Sequence, residues 1–195
     1  MMTLTEQQNL AADKICKRFE AAITKRTEFQ GDVILTTTPD AILDVLRYAR
    51  DAAGFDMLVN LCSVDNFGSE PRFEVIYVVT QAEKGVNLEF RVPVAEGGSV
   101  PSCVPVYRGA NWLERETYDL MGIVFENHPD LRRIMMWEEY PYYPLRKDFP
   151  VQGIPTELPG VAFTEKAPTG GAPFATRPGV CPSAEREPRE RGCDC

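Results

Sequence analysis

The stretch that decides the fold is residues 114–150, which read ERETYDLMGIVFENHPDLRRIMMWEEYPYYPLRKDFP. Side chains at positions i, i+4, i+7 and i+8 from Leu113 share one helical face, which predicts an amphipathic helix across the start of this stretch. Gly122 predicts the end of that helix, because glycine readily adopts the left-handed conformation that closes many helices.

After Gly122 the pattern is no longer helical. A short apolar run leads to a turn at residues 127–130, and we expect a second short helix over residues 131–136. Between Trp137 and Pro150 the chain has three prolines, each of which lacks a backbone N–H and disfavours helix in the residue before it. The sequence therefore predicts an extended segment whose aromatic side chains are buried on another protein.

Specific positions within this stretch form a signature. They are Glu114-Arg115-Glu116, Asp119, Gly122-Ile123, Phe125, His128-Pro129-Asp130-Leu131-Arg132-Arg133 and Pro144-Leu145-Arg146-Lys147-Asp148-Phe149-Pro150. The signature closely resembles that of the C subunit, or 30 kDa subunit family, of respiratory complex I, the NADH:quinone oxidoreductase. The resemblance covers residues 31–150 and is most specific over residues 114–150.

The resemblance implies a function in assembly. It implies a non-catalytic member of the peripheral arm of a proton-pumping enzyme, docked on the large hydrogenase-like D subunit and close to the small cluster-bearing B subunit. It also implies that NADH, FMN, iron–sulfur clusters and quinone are bound by partner subunits and that this chain binds none of them. Fold and docking roles are carried over to Glu114, Arg115, Glu116, Asp119, Gly122, His128, Pro129, Arg132, Arg133, Pro144, Leu145, Arg146, Lys147 and Asp148. Of these, Arg146 is expected to become buried only in the complex.

Charge and hydropathy exclude several classes of protein. A net charge of −8 and a pI near 4.8 argue against binding to nucleic acid or anionic lipid, which needs clustered lysine and arginine. Nothing resembles a signal peptide, and no window approaches the ~18 apolar residues of a membrane span. With the resemblance, this implies a peripheral protein on the cytoplasmic side of the bacterial inner membrane, which contacts the membrane only through its complex.

The N-terminal part of the chain predicts a compact α+β fold. Apolar spacing favours a helix over residues 6–26, and a second helix begins after Pro39 and ends at Gly54. Short apolar runs bounded by turn residues predict strands over residues 31–37, 55–64, 72–80 and 86–94. The expected architecture is a small, largely antiparallel sheet with helices on one face, followed by the signature helix and an extended segment that wraps a partner.

Composition predicts three regions. Residues 1–122 form the compact α+β domain and include the start of the signature helix. Residues 123–163 form an extended docking segment. Residues 164–195 are rich in proline and glycine and show no hydrophobic period, so we expect a disordered tail.

Catalysis is the main alternative to a docking role for the signature. Glu114, Glu116 and Asp119 could supply paired carboxylates for acid–base chemistry. Arg115 and Asp119 are four residues apart, however, and can form an ion pair on a helix surface, which favours a structural role. His128 is the one histidine of the chain and precedes a proline, and without a nucleophile or an oxyanion site beside it a structural role is again favoured.

Phosphate and metal binding are two further alternatives. Arg132-Arg133 and Arg146-Lys147 could bind phosphate, but neither nucleotide-binding glycine motif is present, and guanidinium groups among aromatic side chains also suit a protein interface. The six cysteines are Cys16, Cys62, Cys103, Cys181, Cys193 and Cys195. Their spacing fits no iron–sulfur or zinc pattern, and reduced thiols are expected.

Two classes of function therefore stay open. The first is an assembly subunit of complex I, or of a related membrane-bound hydrogenase or plastid-type dehydrogenase. The second is a free-standing enzyme that uses the acidic helix, with Glu116 and Asp119 as its candidate residues.

Overall fold

The computed structural model describes residues 4–151. Within that range the α-helices are α1 Leu4–Arg18, α2 Ile42–Asp51 and α3 Ala110–Met121. The strands are β1 Ile23–Phe29, β2 Asp32–Thr37, β3 Met57–Asp65, β4 Phe73–Gln81, β5 Val86–Val94, β6 Ser99–Pro101 and β7 Val124–Glu126. The short 3-10 helix Pro39–Ala41 leads into α2. The predictions for residues 152–195, including the disordered tail, lie outside the described residues.

Five of the strands form one sheet in the order β1-β2-β5-β4-β3. Neighbouring strands are antiparallel except β2 and β5, which are parallel. The remaining pair, β6 and β7, forms a separate two-stranded parallel sheet. The predicted α+β fold with a largely antiparallel sheet is confirmed.

One face of the large sheet carries the core. Alternate residues of β5, from Val86 through Phe90 to Val94, are buried, whereas the residues between them are exposed or half-buried. Apolar side chains of α1, α2 and α3 all belong to the same buried cluster as these strand residues. The period-2 pattern of β5 therefore directs one face of the sheet toward the helices, as its sequence predicts.

The first helix is shorter than predicted, and the prediction of helix over residues 6–26 is wrong in its second half. α1 ends at Arg18, and the chain turns so that the Ile23 N–H donates to the Phe19 carbonyl oxygen at 3.0 Å. From Ile23 onward the residues pair with β2 as a strand. Ile23 continues the helical apolar spacing, but the β-branched residues Ile23, Thr24 and Thr27 favour a strand once β2 offers a pairing edge.

The second short helix is absent: residues 131–136 contain neither helix nor strand. The N–H groups of Ile134, Met135 and Met136 donate to a side-chain carboxylate on α3. Those donors are therefore not available to carbonyl groups of a helix within the segment.

The described residues up to Asp148 form one compact unit. The predicted boundary at residue 122 falls inside this unit. Strand β7 pairs with β6, and residues 132, 133 and 146 form hydrogen bonds with residues of α3. Residues 123–148 thus stabilise the fold of the chain itself, whatever else they contact.

The core position of Phe90 gives a direct test of this fold. Phe90 is fully buried, whereas Phe29, at the end of edge strand β1, is 63 % exposed. We expect Phe90→Ala to lower the free energy of unfolding by about 3–5 kcal/mol and the matched control Phe29→Ala by less than about 0.5 kcal/mol. Urea unfolding followed by circular dichroism measures both, and similar losses for the two variants would contradict the assigned sheet faces.

Candidate functional site

The candidate site is built around α3, whose last turn is closed by Gly122. Gly122 has φ 77°, and its N–H donates to the Tyr118 carbonyl oxygen at 2.9 Å. A Cβ at this position would lie 2.6 Å from Nη2 of Arg146 and 2.7 Å from the ring of Tyr143. Both the left-handed backbone and the close approach of the later segment require glycine here, and the predicted helix end is confirmed.

Asp119 is the main anchor of the segment that follows β7. Its side chain is fully buried, and Oδ2 accepts hydrogen bonds from the N–H groups of Ile134, Met135 and Met136 at 3.0, 2.6 and 2.9 Å. Oδ1 accepts a hydrogen bond from Nη1 of Arg133 at 2.7 Å. Burial alone would raise the pKa of Asp119, but these hydrogen bonds outweigh it and hold the pKa below its usual value.

The predicted pairing of Arg115 with Asp119 on a helix surface is wrong. Arg115 is buried, and its guanidinium group donates to the carbonyl oxygens of Arg132 at 3.0 Å and Arg133 at 3.3 Å. It also stacks on the ring of Trp112, with 5.0 Å to the ring centroid. Asp119 instead forms its ion pair with Arg133, which lies in the segment after β7.

Glu114 is the second buried carboxylate of α3. Its Oε2 accepts a hydrogen bond from Oγ of Ser102 at 2.6 Å, and its Oε1 accepts one from the N–H of Cys103 at 2.7 Å. Burial raises the pKa of Glu114, and the two hydrogen bonds offset part of that rise. Glu114 therefore fastens the loop before α3 to the helix.

His128 lies beside Glu114 with a fully buried side chain. Its Nδ1 accepts a hydrogen bond from the N–H of Asp130 at 3.0 Å, which assigns the ring hydrogen to Nε2. Nε2 lies 3.2 Å from the carbonyl oxygen of Asn111 and 3.8 Å from Oε2 of Glu114. The imidazole thus connects the turn after β7 to the start of α3 through one contact from each ring nitrogen.

A third anchor joins the ends of β3 and β4 to the end of the signature. Arg72 forms two parallel hydrogen bonds with Asp65, both 2.9 Å, and a third with Oδ1 of Asp148 at 2.8 Å. Oδ2 of Asp65 also accepts the N–H of Lys147 at 2.8 Å. The Arg72 guanidinium holds the pKa values of Asp65 and Asp148 below their usual range. Nη1 of Arg72 also donates to Glu96 at 3.0 Å, so one guanidinium group pairs with three carboxylates, a strong and geometrically specific arrangement.

Arg146 lies within this same part of the fold, so the expectation that it becomes buried only in the complex is wrong. Its Nε donates to the Met121 carbonyl oxygen at 2.7 Å, and its guanidinium group stacks on the rings of Tyr143 and Phe73, at 4.5 and 5.2 Å from their centroids. Its side chain is 18 % exposed. Tyr140 is likewise buried, so the aromatic segment has intramolecular partners that its proline content does not reveal.

Other signature side chains face outward. Arg132 is 63 % exposed and pairs with Asp130 at 2.9 Å, while Leu145 is 55 % exposed. Glu116, Pro129 and Lys147 are exposed, and Pro144 is half-buried.

Sequence reasoning missed Asp65 and Arg72. The one available signal was their opposite charges at facing ends of two predicted neighbouring strands. Only the register of β3 on β4 brings the two side chains together.

Comparison with known proteins assigns the family. Residues 35–155 match the model of the family described as "Respiratory-chain NADH dehydrogenase, 30 Kd subunit". The C subunit of NADH-quinone oxidoreductase from Geotalea uraniireducens is 38 % identical over 148 residues, which are 75 % of this chain and 90 % of that protein. The protein of the same name from Trichlorobacter lovleyi is 42 % identical over 147 residues, 74 % of this chain and 91 % of that protein.

Two solved structures share the fold. A trypsin-resistant fragment (1-134) of Nqo5 has a TM-score of 0.57 and 26 % identity, over 64 % of this chain and 99 % of the fragment. A chain of an archaeal membrane-bound sulfane sulfur reductase, a respiratory membrane complex, has a TM-score of 0.64 and 20 % identity, over 73 % of this chain and 85 % of that one. The second likeness concerns the fold alone.

These comparisons place the protein among the subunits of respiratory-chain dehydrogenases. The chain belongs to the 30 kDa subunit family of complex I, the respiratory NADH dehydrogenase, and the resemblance drawn from its signature is confirmed. None of the helices in the described part of the chain is long and apolar enough to cross a membrane.

The close approach at Gly122 predicts an unusually costly substitution. Gly122→Ala combines a left-handed backbone with overlap against Arg146 and Tyr143, and we expect a loss of about 2–5 kcal/mol in the free energy of unfolding. Gly85, in the turn between β4 and β5, has φ 66° and open space around its missing Cβ. The matched control Gly85→Ala should therefore cost only the backbone strain of about 1–2 kcal/mol. Chemical denaturation compares the two, and equal losses would contradict the close packing at Gly122.

Asp119 and Glu114 predict opposite dependences on pH. The folded-state pKa of Asp119 lies below its unfolded value of about 3.9, so its stabilising contribution is present above that value and is lost as the pH falls through the folded-state pKa. The folded-state pKa of Glu114 lies above its unfolded value of about 4.3, so its ionisation reduces stability as the pH rises between the two pKa values.

We expect the stability lost in Asp119→Asn, relative to the unsubstituted chain, to be constant above about pH 5 and to shrink as the pH falls below about 4. The loss in Glu114→Gln should instead shrink as the pH rises above about 4.3. Urea unfolding at a series of pH values measures both, and parallel pH profiles for the two variants would show that the carboxylates do not have the opposite environments described here.

Proposed function

We propose that this chain is the non-catalytic assembly subunit of the peripheral arm of a complex I-type NADH:quinone oxidoreductase and docks on the large hydrogenase-like D subunit, near the B subunit. The family, and relatives that are named as the C subunit of NADH-quinone oxidoreductase, support membership of such a complex. One structural observation supports docking: the segment after β7 is fixed to the fold by its backbone and charged groups while Met135 and Leu145 stay 65 % and 55 % exposed.

That arrangement suits a docking surface because the exposed side chains are already held in place. The Met135 N–H donates to Asp119 at 2.6 Å, and the Leu145 N–H donates to the Leu120 carbonyl oxygen at 3.1 Å. A segment ordered before binding loses less conformational entropy when a partner covers it. Apolar side chains presented in this way contribute to the central part of an interface.

The same contacts support a non-catalytic role. The carboxylates of Glu114 and Asp119 are buried and accept hydrogen bonds from the chain itself, although burial raises the pKa of Glu114 and hydrogen bonds lower the pKa of Asp119. A general base needs free access to a substrate proton. We therefore propose that NADH, FMN, iron–sulfur clusters and quinone are held by partner subunits, and that the chain lies on the cytoplasmic side of the bacterial membrane within its complex.

A related enzyme is the second candidate. The fold that this chain shares with a chain of an archaeal respiratory membrane complex is compatible with an equivalent subunit of a membrane-bound hydrogenase or plastid-type dehydrogenase.

Purification of the tagged chain from detergent-solubilised native membranes, with identification of the partner chains by mass spectrometry, distinguishes the candidates. Recovery with the NADH-binding subunits supports complex I. Recovery alone, with a substrate turnover abolished by changing Glu116 or Asp119, would establish a free-standing enzyme instead.

Met135 gives the sharpest substitution for the docking proposal. Met135→Asp places a charge on the surface proposed to be buried, so we expect the variant to retain its stability and to bind the large hydrogenase-like partner at least about tenfold more weakly. Phe29 is similarly exposed but lies on β1, at the opposite edge of the sheet from β3 and α3. Phe29→Asp is therefore the matched control and should bind normally.

Affinity purification with quantification of the large hydrogenase-like partner per tagged chain measures the effect, and thermal unfolding of each free variant checks its fold. Normal recovery of that partner with Met135→Asp would exclude this surface from the interface.

A further inference from the structure

A groove of about 260 Å³ separates α3 from β3. Leu61 from β3 and Thr117 and Met121 from α3 line it and are almost fully buried. Leu145 also lines it and is 55 % exposed, so an apolar side chain borders the groove at the surface. The groove is open to solvent and has a mixed lining, with apolar side chains of Leu61, Leu120, Met121 and Leu145 next to the polar residues Asn60 and Ser63.

Its charged residue is Glu116. Among residues 4–151, no hydrogen bond or ion pair joins the Glu116 carboxylate to another group. The other two carboxylates of the helix, Glu114 and Asp119, are buried and hydrogen-bonded. α3 thus uses two carboxylates to hold the fold and presents the third to whatever enters the groove.

On the sheet face beside the groove, the nearest cation is already paired with two carboxylates. Cys62 lines the groove. It lies opposite Ile76 in the neighbouring strand β4, and Ile76 lies opposite Arg91 in β5. Side chains of residues that lie opposite each other point to the same side of a sheet, so all three are on the face away from the core. On that face Arg91 is shared by Glu89 at 2.6 Å and Glu74 at 3.4 Å. One guanidinium group is already matched by two carboxylates, so it cannot also neutralise Glu116.

The groove continues onto surface that a macromolecule could cover. β3 is an edge strand of the sheet, and Val64, which lies on the same sheet face as Cys62, is 37 % exposed. A partly apolar groove lies next to an edge strand, and its carboxylate makes no hydrogen bond or ion pair within the described residues. This combination matches the aliphatic stem and the charged end of a long basic side chain.

We infer that the groove between α3 and β3 receives a lysine or arginine side chain carried on an apolar segment of the partner subunit. The inference depends on the proposed function, because it names the part of the chain that the partner covers. The aliphatic stem lies over Leu61, Thr117 and Met121, and the cationic end meets Glu116. Loss of one partner of such a charge pair at an interface weakens binding strongly.

Thiol protection tests the location. Cys62 is half-buried in the groove, whereas Cys16 is half-buried on α1 and Cys103 is buried. In a chain with Cys181, Cys193 and Cys195 changed to Ser, alkylation by iodoacetamide is compared between the free chain and the complete complex. We expect Cys62 to react at least about tenfold more slowly in the complex, as for a group excluded from solvent, with no comparable change at Cys16.

Equal alkylation of Cys62 in both states overturns the inference and leaves the proposed function intact, because the chain is then in the complex with its groove open. Protection that appears in the free chain as its concentration rises assigns the groove to a second copy and also overturns the inference. Failure to recover any complex instead contradicts the proposed function, and the inference with it.

Charge substitution tests the chemistry. Since Glu116 makes no hydrogen bond or ion pair within residues 4–151, Glu116→Gln and Glu116→Lys should leave the thermal unfolding of the free chain unchanged. We expect Glu116→Lys to lower partner recovery by about tenfold or more and Glu116→Gln to lower it less. Glu83, exposed in the turn between β4 and β5, supplies the control Glu83→Lys, which makes the same change in charge away from the groove. Normal recovery with Glu116→Lys overturns the inference.

Discussion

The buried carboxylate of Asp119 determines the course of the chain after α3. One oxygen accepts hydrogen bonds from three successive backbone N–H groups, those of Ile134, Met135 and Met136, and the other accepts one from Arg133. A buried ionised carboxylate is costly without such donors, and the donors would be costly to bury without an acceptor. Each therefore requires the other, which explains why the segment has a fixed path without helix or strand.

The hydrogen bonds of Arg72 with Asp65 and Asp148 fix the other end of the signature in the same way. Arg72 ties Asp148 to Asp65, and Arg146 packs on Tyr143 above Gly122. Backbone and charged groups thus hold the segment in place, and Tyr140 is buried within the fold, whereas Met135 and Leu145 stay exposed. Residues of the family signature thus serve first to shape the protein itself, and the surface that we propose for docking follows from that shape.

Sequence periodicity was sufficient where local preference and burial agree. The alternation in β5 and the glycine at 122 predicted a strand and a helix end that the structure confirms. Periodicity failed where a distant group offers the backbone another hydrogen-bond partner. Ile23 fits the apolar face of a longer α1 but pairs with β2. The N–H groups of residues 134–136 donate to Asp119 instead of forming a helix. The contact of Arg72 with Asp65 depends on strand register, which composition and spacing do not specify.

Amide hydrogen exchange on the isolated chain tests the central claim, that the signature anchors its own segment before any partner binds. If Asp119 holds residues 134–136 in the free protein, their amides should exchange on the order of 100-fold more slowly than in an unstructured peptide, and Asp119→Ala should abolish that protection. Mass spectrometry or NMR resolves these positions. Unprotected amides in the free chain that become protected only in the assembled complex would contradict the account.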